Sequence, residues 1–467
     1  MLRRLWLVLV GAAVVLGIAG DRVRPQSHSA KPAATTDPFT LYLLGGSTAL
    51  GEPYAPQTDL GRIASILLGG QCEGHPIAVV NLGKRGKPAE QVVADAQRIS
   101  RDCRDPGATA AFLYVGNNQF LCFDRRPDLR HLPRALCDEP VVSSSEREEV
   151  LRRYRSSYAT ILRSLRARGI EVIAATTAVN LADWEPNRSV LMRRENAPRV
   201  KALLQESEAR SGRGDIRGAL NSIHELLRLE PEFALGCKRA GDLYRQLGDA
   251  GKARRSYQQA VDFDGNPQRE LSQQNAIVRQ ECERAGVSVV DAERIVMEQA
   301  ADGLVGDNLM WDNCHPRLEA YAAIAHGFAS KLCEARGLPP PSPPPDRPQL
   351  ERMLGIGPTV QRRILHERGQ YCYRAATLTF DPRQRLQRAR RYLEAAMALG
   401  PEEADLICSF AVLAALEGDV QQSLAHWRRA YRLDASVTRE RANNRYVTQI
   451  LECHGLKDSM AAIERKP

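Results

Sequence analysis

At 467 residues the chain exceeds one ordinary domain, and its composition changes twice along its length. Its net charge of +9 comes mostly from arginines scattered through helical stretches, such as Arg152, Arg153 and Arg155, and Arg388, Arg390 and Arg391. Without interleaved aromatics or a nucleic-acid motif these read as solvated helix faces, which excludes a nucleic-acid groove and leaves only weak attraction to anionic lipid or an acidic polysaccharide.

Met1 to Arg4 carries two arginines, and Leu5 to Gly20 is an uninterrupted apolar run of 16 residues. Residues 1–20 are therefore a signal peptide or a membrane anchor. The run falls just short of the roughly 17 to 25 residues a span needs, and Gly17-Ile18-Ala19 is a fair cleavage site, so both readings stay open. The basic flank keeps the first residues in the cytoplasm, which sends the rest to the periplasm or cell envelope. Residues 21–38, rich in Pro, Ser, Ala and Thr, form a flexible tether.

An apolar strand-like run, Leu41 to Leu44, then ends in Gly45-Gly46-Ser47-Thr48. Two further runs of the same kind end in turns: Ile77 to Val80 leads to Asn81-Leu82-Gly83-Lys84-Arg85-Gly86, and Ala110 to Val115 to Gly116-Asn117-Asn118. This pattern predicts three turns at the carboxyl edge of one parallel sheet, where ligands bind in open α/β folds. Cys103, Cys122 and Cys137 cluster around the third turn, and a disulfide pinning the loop from Phe120 to Cys137 is expected there. Eleven cysteines suit an oxidising compartment, and the odd total leaves at least one thiol unpaired.

Val172 to Thr176 reads as another core strand, closed by the loop Asn180 to Trp184. A helical stretch interrupts the sheet at residues 196–268. Within it Gly214, Ala219, Ile223 and Leu226 recur 34 residues later as Gly248, Ala253, Tyr257 and Ala260. The chain returns with a helix ending near Ala285, a strand Val287 to Val290 and the turn Asp312-Asn313-Cys314-His315, followed by a helix to about Leu332. The α/β domain thus spans 39–195 and 269–337. Seven residues of Pro and Ser, 339 to 345, make a polyproline II spacer, and 338–348 is the linker. Beyond it, in 349–467, the period returns: Ala389, Leu393 and Ala396 recur as Ser423, Trp427 and Ala430. A period of 34 with small residues at helix crossings resembles tetratricopeptide repeats, whose concave faces bind proteins or peptides. The inserted unit is expected to form a cap or docking platform beside the active site.

Ester hydrolysis needs a nucleophile, a base, a group that orients the base, and donors for the oxyanion. Ser47 is the candidate nucleophile, His315 the base and Asp312 its orienting carboxylate; the backbone N–H groups of Ser47 and Gly86 and the Asn118 side-chain amide are the candidate oxyanion donors. Gly86 is assigned there because a Cβ would crowd the substrate. Bland readings stand beside these: a Gly-Gly-Ser turn alone is usually structural, and Asp-x-x-His serves as a helix cap or as two metal ligands. No further His or Cys cluster completes a metal site, and a nucleophilic Cys314 would leave the serine turn without a role.

The four blocks in this order resemble the SGNH (GDSL-like) hydrolase family, over roughly residues 38 to 195 and 270 to 336. The resemblance implies a three-layer α/β sandwich with a central parallel sheet, here interrupted by one helical repeat unit and followed by another. It assigns the nucleophile to Ser47, the second-block glycine to Gly86, the third-block asparagine to Asn118 and the Asp-x-x-His pair to Asp312 and His315. It departs from the commonest pattern at Gly46, where Asp is usual, and at Gln119, where an acid often follows the asparagine. It implies hydrolysis of small acyl esters, of acetylated saccharides or lipids, without cofactor or metal; transfer of the acyl group to an envelope sugar and a non-catalytic repeat scaffold are the alternatives. An aromatic content of 6% gives no obvious stacking platform, and Trp184 and Trp311 are the candidate substrate contacts, with core or rim packing favoured.

Overall fold

The computed structural model describes residues 37–121 and 139–459. The amino-terminal apolar run, nearly all of the tether, Cys122 and Cys137 lie outside them. Among the described residues no helix is long and apolar enough to cross a membrane.

Six strands, β1 (Phe39–Gly45), β2 (Gln71–Cys72), β3 (His75–Asn81), β4 (Thr109–Tyr114), β5 (Glu171–Ala175) and β6 (Ser288–Val290), form one sheet in the order β2-β3-β1-β4-β5-β6. All neighbours are parallel except β2, an antiparallel edge on β3. A parallel sheet is covered on both faces and must be apolar on both. Accordingly Ala110, Phe112 and Tyr114 enter one core, while Ala111, Leu113 and Val115 enter the other.

The helices up to the end of the α/β part are α1 (Ser47–Leu50), α2 (Leu60–Leu67), α3 (Ala89–Asp102), α4 (Ser144–Arg166), the inserted α5 (Ala197–Gly212), α6 (Ile216–Leu229), α7 (Ala234–Gln246) and α8 (Ala250–Asp262), then α9 (Ser272–Ala285), α10 (Ala292–Glu298) and α11 (Leu318–Arg336). Beyond them lie α12 (Arg347–Met353), α13 (Pro358–Ala376), α14 (Arg383–Ala398), α15 (Ala404–Leu416), α16 (Val420–Leu433), α17 (Ala435–Ala442) and α18 (Arg445–Cys453). The longest, α4, opens on a capping box between Ser143 and Glu146 and buries Val150, Tyr154, Tyr158, Ile161 and Leu165, a helical spacing. With α3 and α9 it covers one face of the sheet; α2 and α11 cover the other. There Phe328 stacks on Phe112 with ring centroids 4.7 Å apart, and losing that ring costs about 3–5 kcal/mol. Because β1 lies between β3 and β4, the strand order reverses at its carboxyl end and opens a crevice there.

The 34-residue spacing is realised as equivalent helix starts. Gly214 and Gly248 take left-handed φ of +83° and +76°, and the next residue, Asp215 or Asp249, caps α6 or α8. Ala219, Ile223 and Leu226 are buried, as are Ala253, Tyr257 and Ala260. Gly418 and Asp419 start α16 in the same way, and its Ser423, Trp427 and Ala430 are buried like Ala389, Leu393 and Ala396 of α14.

The carboxy-terminal helices do not stand apart behind a linker. The Ser342 N–H donates to Leu67 O at 3.0 Å, one apolar core runs from Phe39 to Leu456, and the described residues from Pro38 onward form one unit. Buried arginines fasten the two parts. Arg385 donates to Asn187 Oδ1 at 2.8 Å and to Glu185 O, with its guanidinium 4.4 Å over the Trp184 ring. Arg388, expected on a solvated face, is buried and donates to Asp307 Oδ2 at 2.7 Å. Phe380 packs beside the insertion's Leu203 and Leu235 cluster, flanked by ion pairs Arg239–Asp381 at 2.8 Å and Arg383–Glu208 at 2.7 Å. The insertion itself reaches the carboxyl edge of the sheet through α8, whose Tyr257 and Val261 pack with Phe120, Val179 and Leu181. The helix that roofs the crevice, however, is α13.

Candidate active site

Ser47 is the first residue of the single-turn helix α1, delivered to the crevice by β1. Side chains from two other elements, and one of its own, hold this turn. The Asn81 amide at the end of β3 donates to Ala49 O and Leu50 O at 3.0 and 3.2 Å, Tyr321 of α11 donates to Thr48 O at 2.7 Å, and Thr48 donates to Cys314 O at 3.5 Å. The loop from Met310 to Pro316 is closed by Trp311 N–H donating to His315 O at 2.8 Å, and by Trp311 Nε1–H donating to the Tyr54 hydroxyl at 2.7 Å.

These constraints bring Ser47, His315 and Asp312 into one chain. Ser47 Oγ is 2.8 Å from His315 Nε2, and His315 Nδ1 is 2.9 Å from both oxygens of Asp312. Asp312 Oδ1 also accepts from the backbone N–H groups of Cys314 and His315 at 3.0 Å. A carboxylate accepts only, so the Nδ1 facing it carries the proton and Nε2 is left to accept from the serine hydroxyl. Burial alone would raise the Asp312 pKa, but His315, Arg368 and the backbone N–H groups hold it well below the usual carboxylate range. Burial likewise opposes an imidazolium, yet the Asp312 carboxylate outweighs it and holds His315 well above its ordinary value. Cys314 lies 3.8 Å from Nδ1, the nitrogen engaged by Asp312, and burial raises its thiol pKa. No imidazole lone pair faces it.

The candidate oxyanion donors line the same cleft of about 530 Å³ as His315. Gly86 is glycine because its φ is +68°, a left-handed conformation; a Cβ there would meet only Leu121 at 3.9 Å, so backbone geometry rather than crowding by the protein demands it. Gly46 has a different reason. A Cβ on it would lie 2.3 Å from Asn118 Nδ2, so the third-block amide occupies the space that a side chain at 46 would need. Asn118 Nδ2 donates to Lys87 O at 3.2 Å, which aims the amide across the turn. Gln119, the other departure from the commonest pattern, is buried against α3 with its amide placed to pair with Glu90 and the Ala89 N–H.

Among the described residues, the group with metal-ligand spacing is Asp312, Cys314 and His315. Its carboxylate is already engaged by a guanidinium at 2.6 Å, a cation where a metal would sit.

No protein-family model matches the chain, and no curated protein does. Solved structures to which it is similar include two whose names describe lipolytic proteins. One is a member of the lipolytic protein G-D-S-L family from Veillonella parvula, 11% identical with a TM-score of 0.31, the match covering 62% of this chain and 94% of that one. Another is a GDSL-like lipase from Bacteroides thetaiotaomicron, 8% identical with a TM-score of 0.31, covering 64% and 89%.

Trp184 and Trp311 are not brought to the cleft. Trp184 lies buried beneath the guanidinium groups of Arg385 and Arg388, and Trp311 beneath that of Arg317 at 4.3 Å. Cys103 is a thiol donating to Thr109 Oγ1 at 3.5 Å, so among the described residues it forms no part of a disulfide. Two charged residues at the site escaped sequence reasoning. Glu52, five positions past Ser47 in a Gly-Glu-Pro turn, places Oε2 3.6 Å from His315 Nε2. Arg368 of α13 reaches Asp312 from a helix whose sequence reads as part of a repeat. The first had a weak signal, an acid close after the serine; the second had none.

Proposed function

We propose that the chain is a serine esterase of SGNH type that hydrolyses short acyl esters of a polar alcohol through an acyl-Ser47 intermediate. The observation that carries this reading is the hydrogen-bonded series from Ser47 Oγ to His315 Nε2 and from Nδ1 to Asp312. In the first step Ser47 Oγ attacks the ester carbonyl as His315 Nε2 takes its proton, and the Ser47 and Gly86 N–H groups with Asn118 Nδ2 receive the developing oxyanion. Collapse expels the alcohol, protonated by His315. Water, activated by the same nitrogen, then cleaves the acyl-serine.

The described residues lining the cleft include one aliphatic side chain, Leu121; the rest are mostly amide-bearing or charged, among them Asn117, Gln268, Asn313 and Gln370. A long acyl chain would forgo about 0.8 kcal/mol for each CH₂ left unburied, whereas amides pair well with sugar hydroxyls. The same lining favours acyl transfer to a sugar as the second reading, with a hydroxyl in place of water. The apolar amino-terminal run supports placing this chemistry outside the cytoplasm, either released or anchored.

The test is fluorophosphonate labelling of the exported region with Ser47→Ala and His315→Ala as controls, followed by p-nitrophenyl acetate and octanoate as substrates. Labelling lost in both folded variants and a preference for acetate are expected. A folded wild type that takes no label would instead support a scaffold.

A further inference from the structure

The esterase reading uses Ser47, His315, Asp312 and the oxyanion donors, and leaves two buried charges at the same atoms without a role. Arg368, 4% exposed, donates Nη1–H to Asp312 Oδ2 at 2.6 Å, and that nitrogen lies 3.4 Å from His315 Nδ1. Its Nη2 is 3.8 Å from Glu52 Oε1, which Arg85 holds from the other side at 2.5 Å. The imidazole is thus faced by Asp312 and Cys314 on its own turn, by Ser47 and Glu52 from α1 and the loop after it, and by Arg368 from α13, with Tyr371 of that helix donating to Asn313 Oδ1 at 2.7 Å.

We propose that Arg368 is a positioning residue for this reaction: it fixes the Asp312 carboxylate and moderates its pull on His315, which makes the carboxy-terminal helices a working part of the active site. The proposal rests on the esterase reading. Asp312 Oδ2 is shared between a guanidinium and the imidazole, while Oδ1 takes two backbone N–H groups, so the carboxylate has no freedom to rotate away from Nδ1. A fixed cation 3.4 Å from Nδ1 also disfavours the imidazolium, and a guanidinium cannot relieve this by losing its proton. The result is a base that stays neutral to lower pH than one beside an unshared carboxylate. The helix that carries Arg368 is itself braced, because Arg363, five residues earlier, donates to Ala55 O at 3.0 Å and Gln57 Oε1 at 3.1 Å, in the loop that carries Glu52.

The experiment measures kcat, KM and the pH profile of full-length enzyme on p-nitrophenyl acetate for Arg368→Gln, Arg368→Lys and Arg368→Ala, with Ser47→Ala in parallel. Arg368→Gln removes the cation, so the acid limb of kcat/KM should move up by about one pH unit, with kcat down about 10- to 100-fold from the loosened carboxylate. Arg368→Lys keeps the charge and loses the fork; its limb should stay in place while kcat falls. Added guanidinium at millimolar levels should restore part of the Arg368→Ala turnover, a response that a misfolded variant cannot give. An unmoved limb in Arg368→Gln together with no rescue of Arg368→Ala overturns the proposal. Should Ser47→Ala keep full turnover, the esterase reading itself falls; should it lose turnover while the Arg368 variants behave as wild type, only the role of Arg368 falls.

Discussion

Replacing Gly46 by Ala reaches the proposed oxyanion site without altering any proposed reacting group. The added Cβ would lie 2.3 Å from Asn118 Nδ2 and 3.5 Å from its Cγ, with Lys87 O at 3.7 Å. Carbon and nitrogen rest about 3.5 Å apart, so the amide must withdraw by about 1 Å. Residue 46 has φ −87° and ψ −151°, extended backbone that alanine adopts readily, and the strain therefore falls on Asn118 rather than on the chain. Withdrawal breaks the 3.2 Å bond from Nδ2 to Lys87 O and takes the donor out of line. Losing one such donor costs about 100- to 1000-fold in kcat, or about 2.7–4 kcal/mol of transition-state stabilisation. The assay compares kcat and KM of Gly46→Ala, Asn118→Ala and the double variant on p-nitrophenyl acetate. Each single variant should lose turnover on that scale with KM little changed. The double variant should be no worse than Asn118→Ala alone, because both changes remove the same interaction. The reasoning is refuted if Gly46→Ala turns over like wild type, or if the two losses multiply.

The remaining expectations concern pH and the fastening of the roof. Burial disfavours the His315 imidazolium, but Asp312 outweighs it, so kcat/KM, which needs neutral His315, should fall on the acid side with a midpoint above 6.5; a midpoint at or below that value contradicts the placement. A raised folded-state pKa stabilises the fold fully below the unfolded value near 6.5, and this contribution is lost as pH rises through the folded value. Asp312 acts in the opposite sense: its contribution is present above the unfolded value of 3.8 and is lost as pH falls through the lower folded one. Thermal melts across the pH range should therefore show this site adding less stability in the alkaline range where the base is active. Arg385, whose pKa burial pushes down to about 10, faces the fully buried Glu185 carboxylate at 3.7 Å; Arg385→Ala strands that charge and should cost about 3–5 kcal/mol in urea unfolding, and a loss under about 1 kcal/mol would show the pair is dispensable. Trp184→Phe should leave KM unchanged and lower the melting temperature, since the indole packs under Arg385 and Arg388 away from the cleft; a raised KM with unchanged stability would return it to the substrate.

What was legible in the sequence was local. Leu41 to Leu44 and Ala110 to Val115 announce buried strands because a strand covered on both faces has no polar alternation, and the glycine and asparagine turns after them mark where such strands stop. The helix starts at Gly214-Asp215 and Gly248-Asp249 are equally local, a left-handed glycine followed by a capping carboxylate. Two departures from the familiar blocks were visible as letters only. That Gly46 leaves room for Asn118, and that Gln119 turns to α3, depends on distances between chain segments 72 and 30 positions apart.

The sequence by itself determined the five parallel strands (though not the short antiparallel edge β2), the turns that end them and the order in which Ser47, Gly86, Asn118 and the Asp312–His315 pair appear, since each follows from short-range periodicity and backbone preference. Tertiary structure alone decided the roof. Arg368, Arg385 and Arg388 sit on amphipathic helices whose pattern looks like an ordinary solvated repeat, and whether an arginine there meets water or a buried carboxylate is set by which surface the helix docks against. Arg368 meets Asp312 across 56 positions of chain, through a contact that no local period encodes.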